Sequence, residues 1–438
     1  MADTMIADYK IAAGSRTGGR PIWMGRVPSI VLAVLASRLL ILASGVAGGV
    51  MHRVQGWEAM DPTRLTTGFG ALGNLLLSGS VRWDSIHYLS IAEHGYKPAA
   101  DTQFFPFYPL LIHALSWIVG SDVAAGLLLS AASFAVALTL LHRLVRDELG
   151  ERVATATVLV LAFAPLSLFF TAIYTESLNL ALAVGTFYLA RRGHLRWACL
   201  TAACATLTHI EGIALWPALA FMFWEARGRH LKASDIRSWD GAALLLPPVA
   251  LLGLLLYMHA IGFPWMAVIN GANPTGHGYS VAPISAANHA PHDFARSLDG
   301  PAVTIWLAVT SGLSGLVATL RGAVPVAPGL GNVFTVGFQN LVYLVVLAIT
   351  LTALVAVWRW RQRAYAIYAT LVVLLYTMSA VTPIPLRAFD RYMLPLFPLW
   401  IVTARWLEER RLLSVALTIG SLFLAFYTVE FSRWAMVA

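Results

Sequence analysis

The chain has 438 residues, of which 58% are hydrophobic and only 12% charged, and its mean hydropathy is +0.70. That composition excludes an ordinary soluble domain and a disordered chain, and predicts an all-α, multi-pass integral membrane protein. The net charge of +8 does not point to nucleic acid, because the basic residues are scattered in short stretches between apolar runs instead of gathering on one surface.

Residues 1–27 are polar and basic, with Lys10, Arg16, Arg20 and Arg26, and lack the apolar core of a cleavable signal. They are expected to form a cytoplasmic tail ahead of a single integral membrane domain, 28–438, whose first apolar run doubles as an uncleaved anchor. That run, 28–50, carries Arg38 near its middle. A mid-span arginine is costly, so it is expected either to be satisfied inside the bundle or by snorkelling, or to pair with a buried carboxylate.

A long mixed segment, 51–121, reads as the first outer loop. Its densest part runs from Arg82-Trp83-Asp84 through His87 to His94-Gly95-Tyr96, and is followed by Phe104-Phe105-Pro106-Phe107-Tyr108-Pro109. As a helix it places Ile86, Tyr88, Leu89 and Ala92 on one side, with Asp84, His87, Ser90 and His94 on the other and its border. Such a helix suits the membrane surface, broken by Gly95 and anchored by Tyr96. The piece 107–119, confined by Pro109 and Gly120, is expected as a half-embedded helix.

Further spans are expected near 122–142, 152–172, 174–190, 197–210, 212–224, 241–260, 334–358, 364–382, 391–404 and 412–430, about eleven crossings in all. Cys199 and Cys204 lie five apart in one apolar run, where a helix points them in different directions, so they read as small core residues. A second long outer loop is expected at 261–333. Its polar part holds Asn270, Asn273, His277, Tyr279, Asn288, His289, His292 and Asp293, and its stretch 302–320 is apolar enough either to cross or to lie on the membrane. If 302–320 lies on the surface, the clusters Arg143/Arg146/Arg152, Arg191/Arg192/Arg196, Arg227/Arg229/Lys232/Arg237, Arg359/Arg361/Arg363 and Arg405/Arg410/Arg411 share one side with the basic tail. Crossing would move Arg359, Arg361 and Arg363 to the other side, so the surface reading is preferred.

This topology sends the unusual polar residues to the face away from the cytoplasm. They are Asp84 and His87; Tyr174, Thr175 and Glu176; Thr208, His209 and Glu211; and Arg387, Asp390, Arg391 and Tyr392. An ionisable residue at a helix centre in the bilayer costs about 2.5 to 3.5 kcal/mol, so their convergence marks a site. No Walker loop, HExxH or GxSxG signature competes. His87 with His94, and His289 with His292, have ligand-like spacings, but the twelve histidines are too dispersed to predict a metal, and no cofactor is expected.

Trp83-Asp84 through Ala92-Glu93-His94-Gly95-Tyr96, with Phe105-Pro106-Phe107-Tyr108-Pro109, resembles the first luminal loop of the GPI mannosyltransferase 2 (phosphatidylinositol-glycan class V) family and its prokaryotic relatives. Tyr174-Thr175-Glu176-Ser177 is similar to that family's Y-[ST]-E-S motif, Gly262-Phe263-Pro264 to its post-span loop, and Arg391-Tyr392 through Phe397-Pro398 to its R-Y-x-x-x-x-F-P element. The resemblance implies GT-C glycosyltransferase architecture, in a bacterial cytoplasmic (inner) membrane with the site facing the periplasm or exterior. It implies inverting transfer of mannose from a polyprenyl phosphate carrier to a lipid or glycan acceptor. Where the family tends to have T-R-x-x-G, this chain has Thr208-His209-Ile210-Glu211-Gly212, so an always-charged group is replaced by one that can be neutral.

The chemistry assigns roles. Transfer from a sugar phosphate needs a base for the acceptor hydroxyl, expected in Asp84 with His87 and Glu176 as further catalytic groups, and a cation for the departing phosphate, expected in Arg391 with Arg387. Trp83, Tyr174, Thr175, His209, Glu211 and Tyr392 are expected to bind substrate. The partners are then a polyprenyl-phosphate-linked sugar donor, a lipid or glycan acceptor, and membrane lipids. A membrane transporter or lipid-linked glycan flippase is the competing class, and would show paired broken helices with charges near mid-membrane.

Overall fold

The computed structural model describes residues 27–51, 53, 61, 63–97, 99–265, 267–270, 295–325, 333–360 and 362–437. The basic tail, and the polar residues of the second loop from Asn273 to Asp293 with the His289 and His292 pair, lie outside them.

The chain folds as a bundle of helices. The first long helix, α1 (Val27–Val50), leads into a loop with three shorter ones, α2 (Gly70–Leu77), α3 (Asp84–His94) and α4 (Phe107–Val119). Then follow α5 (Asp122–Leu149), α6 (Glu151–Ala162), α7 (Glu176–Arg191), α8 (Leu195–Thr208), α9 (Leu215–Ala226) and α10 (Leu246–Ala260). The last part holds α11 (Gly300–Leu320), α12 (Val336–Arg359), α13 (Arg363–Thr377), the one-turn α14 (Phe389–Tyr392), α15 (Phe397–Glu409) and α16 (Leu413–Ser432). A two-stranded antiparallel sheet, unforeseen in an all-α reading, pairs β1 (Ala295–Ser297) with β2 (Ala380–Thr382), Ala295 opposite Thr382. It ties the end of the second loop to the segment that leads into α14.

Among the described residues six helices are long and apolar enough to cross a membrane: Ile30–Val50, Asp122–Leu149, Trp239–Ala260, Gly300–Leu320, Val336–Arg359 and Leu413–Ser432. The other expected crossings are shorter, between 12 residues in α6 and α9 and 16 in α7. Breaks shorten them. After α6 stops at Ala162 the chain passes Pro165 and a 3-10 turn, Ser167–Phe170, before α7 begins at Glu176. A proline lacks the N–H that would continue the ladder, and carbonyls freed in an apolar setting need donors.

Arg38 supplies them. Its Nη1 donates to the Ser167 carbonyl at 3.0 Å and Thr171 Oγ1 at 2.9 Å, while Nη2 donates to the Ala162 carbonyl at 2.7 Å and Ser167 Oγ at 2.6 Å. The guanidinium also lies 4.7 Å from the Phe134 ring centre. Of the two expectations for Arg38, satisfaction inside the bundle holds, and no carboxylate is needed. A second chain serves the same break: Tyr108 donates to Ser130 Oγ at 2.6 Å and Ser130 donates to the Ala172 carbonyl at 2.8 Å.

The bundle has two chemically distinct ends. At one, Arg192 meets Asp147 at 2.7 Å, Arg191 meets Glu148 at 3.4 Å and also donates to the Gln362 side chain, and Arg196 meets Asp240 at 2.9 Å. These pairs draw together basic clusters that the charge pattern assigned to one side. Helix α7 runs from there to Glu176, and α13 runs from Arg363 to Tyr376 and Thr377, so Glu176 and Tyr376 lie at the other end. Between the ends, the fully buried rings of Phe187, Tyr365, Tyr368 and Phe397 pack with centroids 4.8 to 6.1 Å apart. The outer surface carries leucines that water would not wet, Leu32 at 65% and Leu39 at 63% exposed.

Over the stretch expected on the surface, 302–320, α11 is a continuous 21-residue helix long and apolar enough to cross a membrane. Its first residue is tied to the site end, where Gly300 N–H donates to the Met378 carbonyl at 2.9 Å. Near its other end Gly315 lies so close to Gly337 that any Cβ would overlap the Gly337 carbonyl.

The two-ended arrangement makes a testable claim. A single cysteine placed at Gln362 is expected to react with an impermeant maleimide only from the side that holds the N-terminal tail; labelling from the opposite face would overturn the assignment of the basic end.

Candidate active site

Four separate stretches converge at the end opposite the basic clusters. The first is the start of α3. Trp83 adopts φ 55°, a left-handed conformation that is strained for a bulky side chain, and is held there from several sides. Its indole donates to the Ala435 carbonyl at 3.2 Å, and the buried Arg82 donates to the Ser432 carbonyl at 3.1 Å with its guanidinium 4.7 Å from the Trp434 ring. Tyr174 closes the turn by donating to the Arg82 carbonyl at 3.3 Å and accepting from the Asp84 N–H at 3.2 Å.

Asp84 is therefore the first residue of α3 and not its cap, and no side chain caps that helix. Its carboxylate is committed elsewhere: Arg391 Nη1 donates to Oδ2 at 2.8 Å. The same guanidinium approaches Glu176, with Nε 3.3 Å from Oε1 but without hydrogen-bond alignment, and Nη2 donates to Tyr392 Oη at 3.1 Å. Rings of Tyr392, Tyr174 and Phe169 surround it at 4.9, 5.3 and 5.5 Å. Glu176 Oε2 is buried with no hydrogen-bond partner among the described residues. One cation thus serves two carboxylates in an aromatic box, with Asp84 the more open, its side chain 30% exposed against 7% for Glu176.

His87, one turn along α3, belongs to a second pair. Its Nδ1 lies 2.8 Å from Oδ1 of the buried Asp101, and its ring stacks on Phe104 at 4.5 Å. An ionised Asp101 can only accept, so the bond is Nδ1–H to carboxylate, and Nε2 is the free nitrogen. His94 instead lies beside Glu93 at 3.8 Å, and among the described residues no group of three or more His, Cys, Asp or Glu is placed to hold a metal ion.

The third group is the turn between α8 and α9. Glu211 is buried, the Asn179 amide donates to its Oε1, and the Tyr376 hydroxyl lies 2.7 Å from Oε2 and 3.0 Å from His209 Nδ1. Burial pushes the Glu211 carboxyl up to about 8. Gly212 is required here, since a Cβ would overlap the backbone at Ala205 and Thr206. The fourth stretch, α14, joins the first and third: Tyr392 stacks on Tyr376 at 4.3 Å and 6°, and its hydroxyl accepts from Arg391. Asp390 accepts from the Arg391 N–H at 2.8 Å.

The expected residues thus divide. Asp84, Glu176, Tyr174, Arg391 and Tyr392 share one contact set, His209 and Glu211 adjoin it, and Thr175 is buried behind, its Oγ1 3.4 Å from Tyr88 Oη. Trp83 shapes the turn, and Arg387 contacts Met436 Sδ at 2.8 Å. Sequence reasoning missed Asn179, Tyr376, Asp101 and Arg82. Asn179 was within reach, three residues after Glu176 on one helix face.

Residues 51–226 match the family model described as Mannosyltransferase (PIG-V). The GPI alpha-1,6-mannosyltransferase 2 of Mus musculus is 28% identical over 234 residues, 50% of this chain and 46% of that protein. Its counterpart in Homo sapiens is 30% identical over 174 residues, 36% of this chain and 34% of that protein. The chain therefore matches less than half the length of these relatives. Trp83, Asp84, His87, Tyr174, Glu176, His209 and Glu211 fall within the family match, and Arg391 lies beyond it. Among solved structures, ArnT from Cupriavidus metallidurans bound to undecaprenyl phosphate aligns over 93% of this chain and 77% of its own, with a TM-score of 0.50 and 14% identity, a likeness of fold.

Removing Arg391 leaves Asp84 and Glu176 as two facing carboxylates in a largely buried site. Arg391→Met is expected to cost about 3 to 5 kcal/mol and to lower the unfolding midpoint in detergent. Adding Asp84→Asn to that variant should restore part of the loss; a second substitution whose effect is simply additive would show that the three groups do not share their charge.

Proposed function

We propose, from this likeness to the PIG-V mannosyltransferases, that the chain is an inverting glycosyltransferase. It takes mannose from a polyprenyl phosphate carrier and transfers it to a hydroxyl of a lipid or glycan acceptor. The observation that carries the reading is the single guanidinium shared by Asp84 and Glu176 at the end of the bundle opposite the basic clusters. Under the positive-inside rule that end is the non-cytoplasmic face, in a bacterial cell the periplasmic side of the cytoplasmic membrane.

In this reading Asp84 removes the proton of the acceptor hydroxyl as its oxygen attacks the anomeric carbon. The bond from that carbon to the phosphate oxygen breaks, its electron pair stays on the phosphate, and configuration inverts. Arg391 is the group suited to the departing phosphate, because a guanidinium fork makes paired, charge-assisted bonds to phosphate oxygens. In the structure Arg391 is held by Asp84, so an arriving phosphate competes for that guanidinium and loosens the carboxylate that must act as base. Donor binding then precedes activation of the acceptor. Glu176 stays as the buried counter-charge, and Tyr174 and Tyr392 fix the two ends of the pair. His87, with Nδ1 committed to Asp101, presents Nε2 to a substrate hydroxyl.

The test is incubation of the purified protein with labelled polyprenyl phosphate mannose and a membrane lipid extract. Asp84→Asn keeps shape but lacks the basic oxygen, and turnover is expected to fall by about 100-fold to 10,000-fold with donor binding retained. Arg391→Lys keeps the charge and loses the fork, so its donor KM should rise. Near-normal transfer by well-folded Asp84→Asn would end the general-base assignment. Movement of labelled donor across a vesicle with no transfer product would favour the transporter or flippase class instead.

A further inference from the structure

The polar chain behind Arg391 contains one proton too few for its bonds to be independent. Tyr376 has a single O–H but lies within hydrogen-bond distance of two partners, Glu211 Oε2 at 2.7 Å and His209 Nδ1 at 3.0 Å. If Glu211 is ionised it can only accept, so Tyr376 donates to it and His209 must donate Nδ1–H to the Tyr376 oxygen, leaving Nε2 bare. If Glu211 carries a proton it donates to the Tyr376 oxygen, Tyr376 donates to Nδ1, and the imidazole hydrogen moves to Nε2. The two states differ by one proton at Glu211, yet they exchange donor for acceptor at the far side of the histidine.

The surroundings select one state. Glu211 bonds to Asn179 from α7 and Tyr376 from α13, lies within the field of the Glu176 carboxylate and near Tyr368, and among the described residues no cation is bonded to it. His209 lies beside Tyr392 and Phe105, at ring distances of 5.7 and 6.4 Å, within the field of Arg391 and Asp84. Burial and the neighbouring Arg391 favour the neutral imidazole, and burial favours the protonated Glu211. Among the described residues the hydrogen bond of the His209 ring is the one at Nδ1.

We propose that Glu211, acting through Tyr376, fixes the tautomer of His209, so that a neutral histidine presents Nε2–H as a donor to the phosphate oxygens of the carrier beside Arg391. Glu211 and Tyr376 are positioning residues; His209 touches the substrate. A neutral donor suits this place because it adds a hydrogen bond to the phosphate without placing a second cation against Arg391. The assignment rests on the glycosyltransferase reading for its ligand, but the tautomer itself does not.

The test uses the full-length protein with 15N-labelled histidine. In the wild type the His209 ring nitrogens are expected to show Nε2–H at pH 7 and to change to Nδ1–H when the pH is raised to 9.5. Glu211→Gln has an amide that donates to Tyr376 whatever the pH, so the Nε2–H pattern should persist to pH 9.5. Tyr376→Phe removes the link, and the pH-dependent change should vanish. In donor titrations with polyprenyl phosphate mannose, the wild-type KM should rise about 10-fold between pH 7 and 9.5, and the Glu211→Gln KM should stay flat. A tautomer change that persists in both variants, or an Nδ1–H pattern at pH 7 in Glu211→Gln, would overturn the proposal. If transfer is absent from every protein while the tautomers behave as described, the glycosyltransferase reading fails and the coupling stands.

Discussion

The site depends on one arginine between two acids. Arg391 comes from the one-turn α14, Asp84 from the first turn of α3 and Glu176 from the first residue of α7, so three stretches far apart in sequence are registered by one guanidinium. In a low-dielectric setting such an arrangement constrains far more than a surface ion pair would, because removing the arginine leaves two carboxylates without compensation. The aromatic box around the guanidinium adds direction: Tyr392, Tyr174 and Phe169 present their rings to it. In the proposed reading folding and chemistry draw on the same contact, since the cation that ties these three stretches together is also the one that would receive phosphate.

Room for that contact comes from helices that stop early. The chain gives up helical hydrogen bonds around residues 163–175, at 209–214 and again before α14, and at the first and last of these side chains take over freed groups. Arg38 and the Tyr108–Ser130 pair serve the first break. Gly212 allows the second to fold back against Ala205. Irregular backbone at membrane depth is tolerable where protein groups satisfy it, and here the breaks are what bring Glu176 and Glu211 within each other's field.

Much of this was legible in the sequence. The apolar runs marked the helices, and the rarity of charge within them made Asp84, Glu176, Glu211 and Arg391 conspicuous. The alternation along 84–94 found the buried side of α3, where Tyr88, Leu89 and Ala92 are indeed covered. Other parts were hidden for physical reasons. Tyr376 sits in an apolar run where a tyrosine resembles an interfacial anchor, and only its distance to two partners reveals its role. Arg38 could be read two ways, because a sequence does not show which carbonyls a helix break will expose. Hydropathy treats a 21-residue apolar helix alike wherever it lies, so it could not place α11. The breaks also explain why several spans are shorter than an apolar count suggests.

The turn that carries Asp84 is held by residues made far later. Arg82 bonds to Ser432 and Trp83 to Ala435, partners separated by 350 and 352 positions. During synthesis α3 can form early and Tyr174 can reach the turn, but the contacts of Arg82 and Trp83 to Ser432 and Ala435 wait until the segment after α16 has left the ribosome and docked. Closing so long a loop is an entropic cost that is met only at the last step of assembly. The acid at position 84 therefore acquires its final geometry when the rest of the bundle is already in place. A partly inserted chain has the residues of this turn and not its geometry.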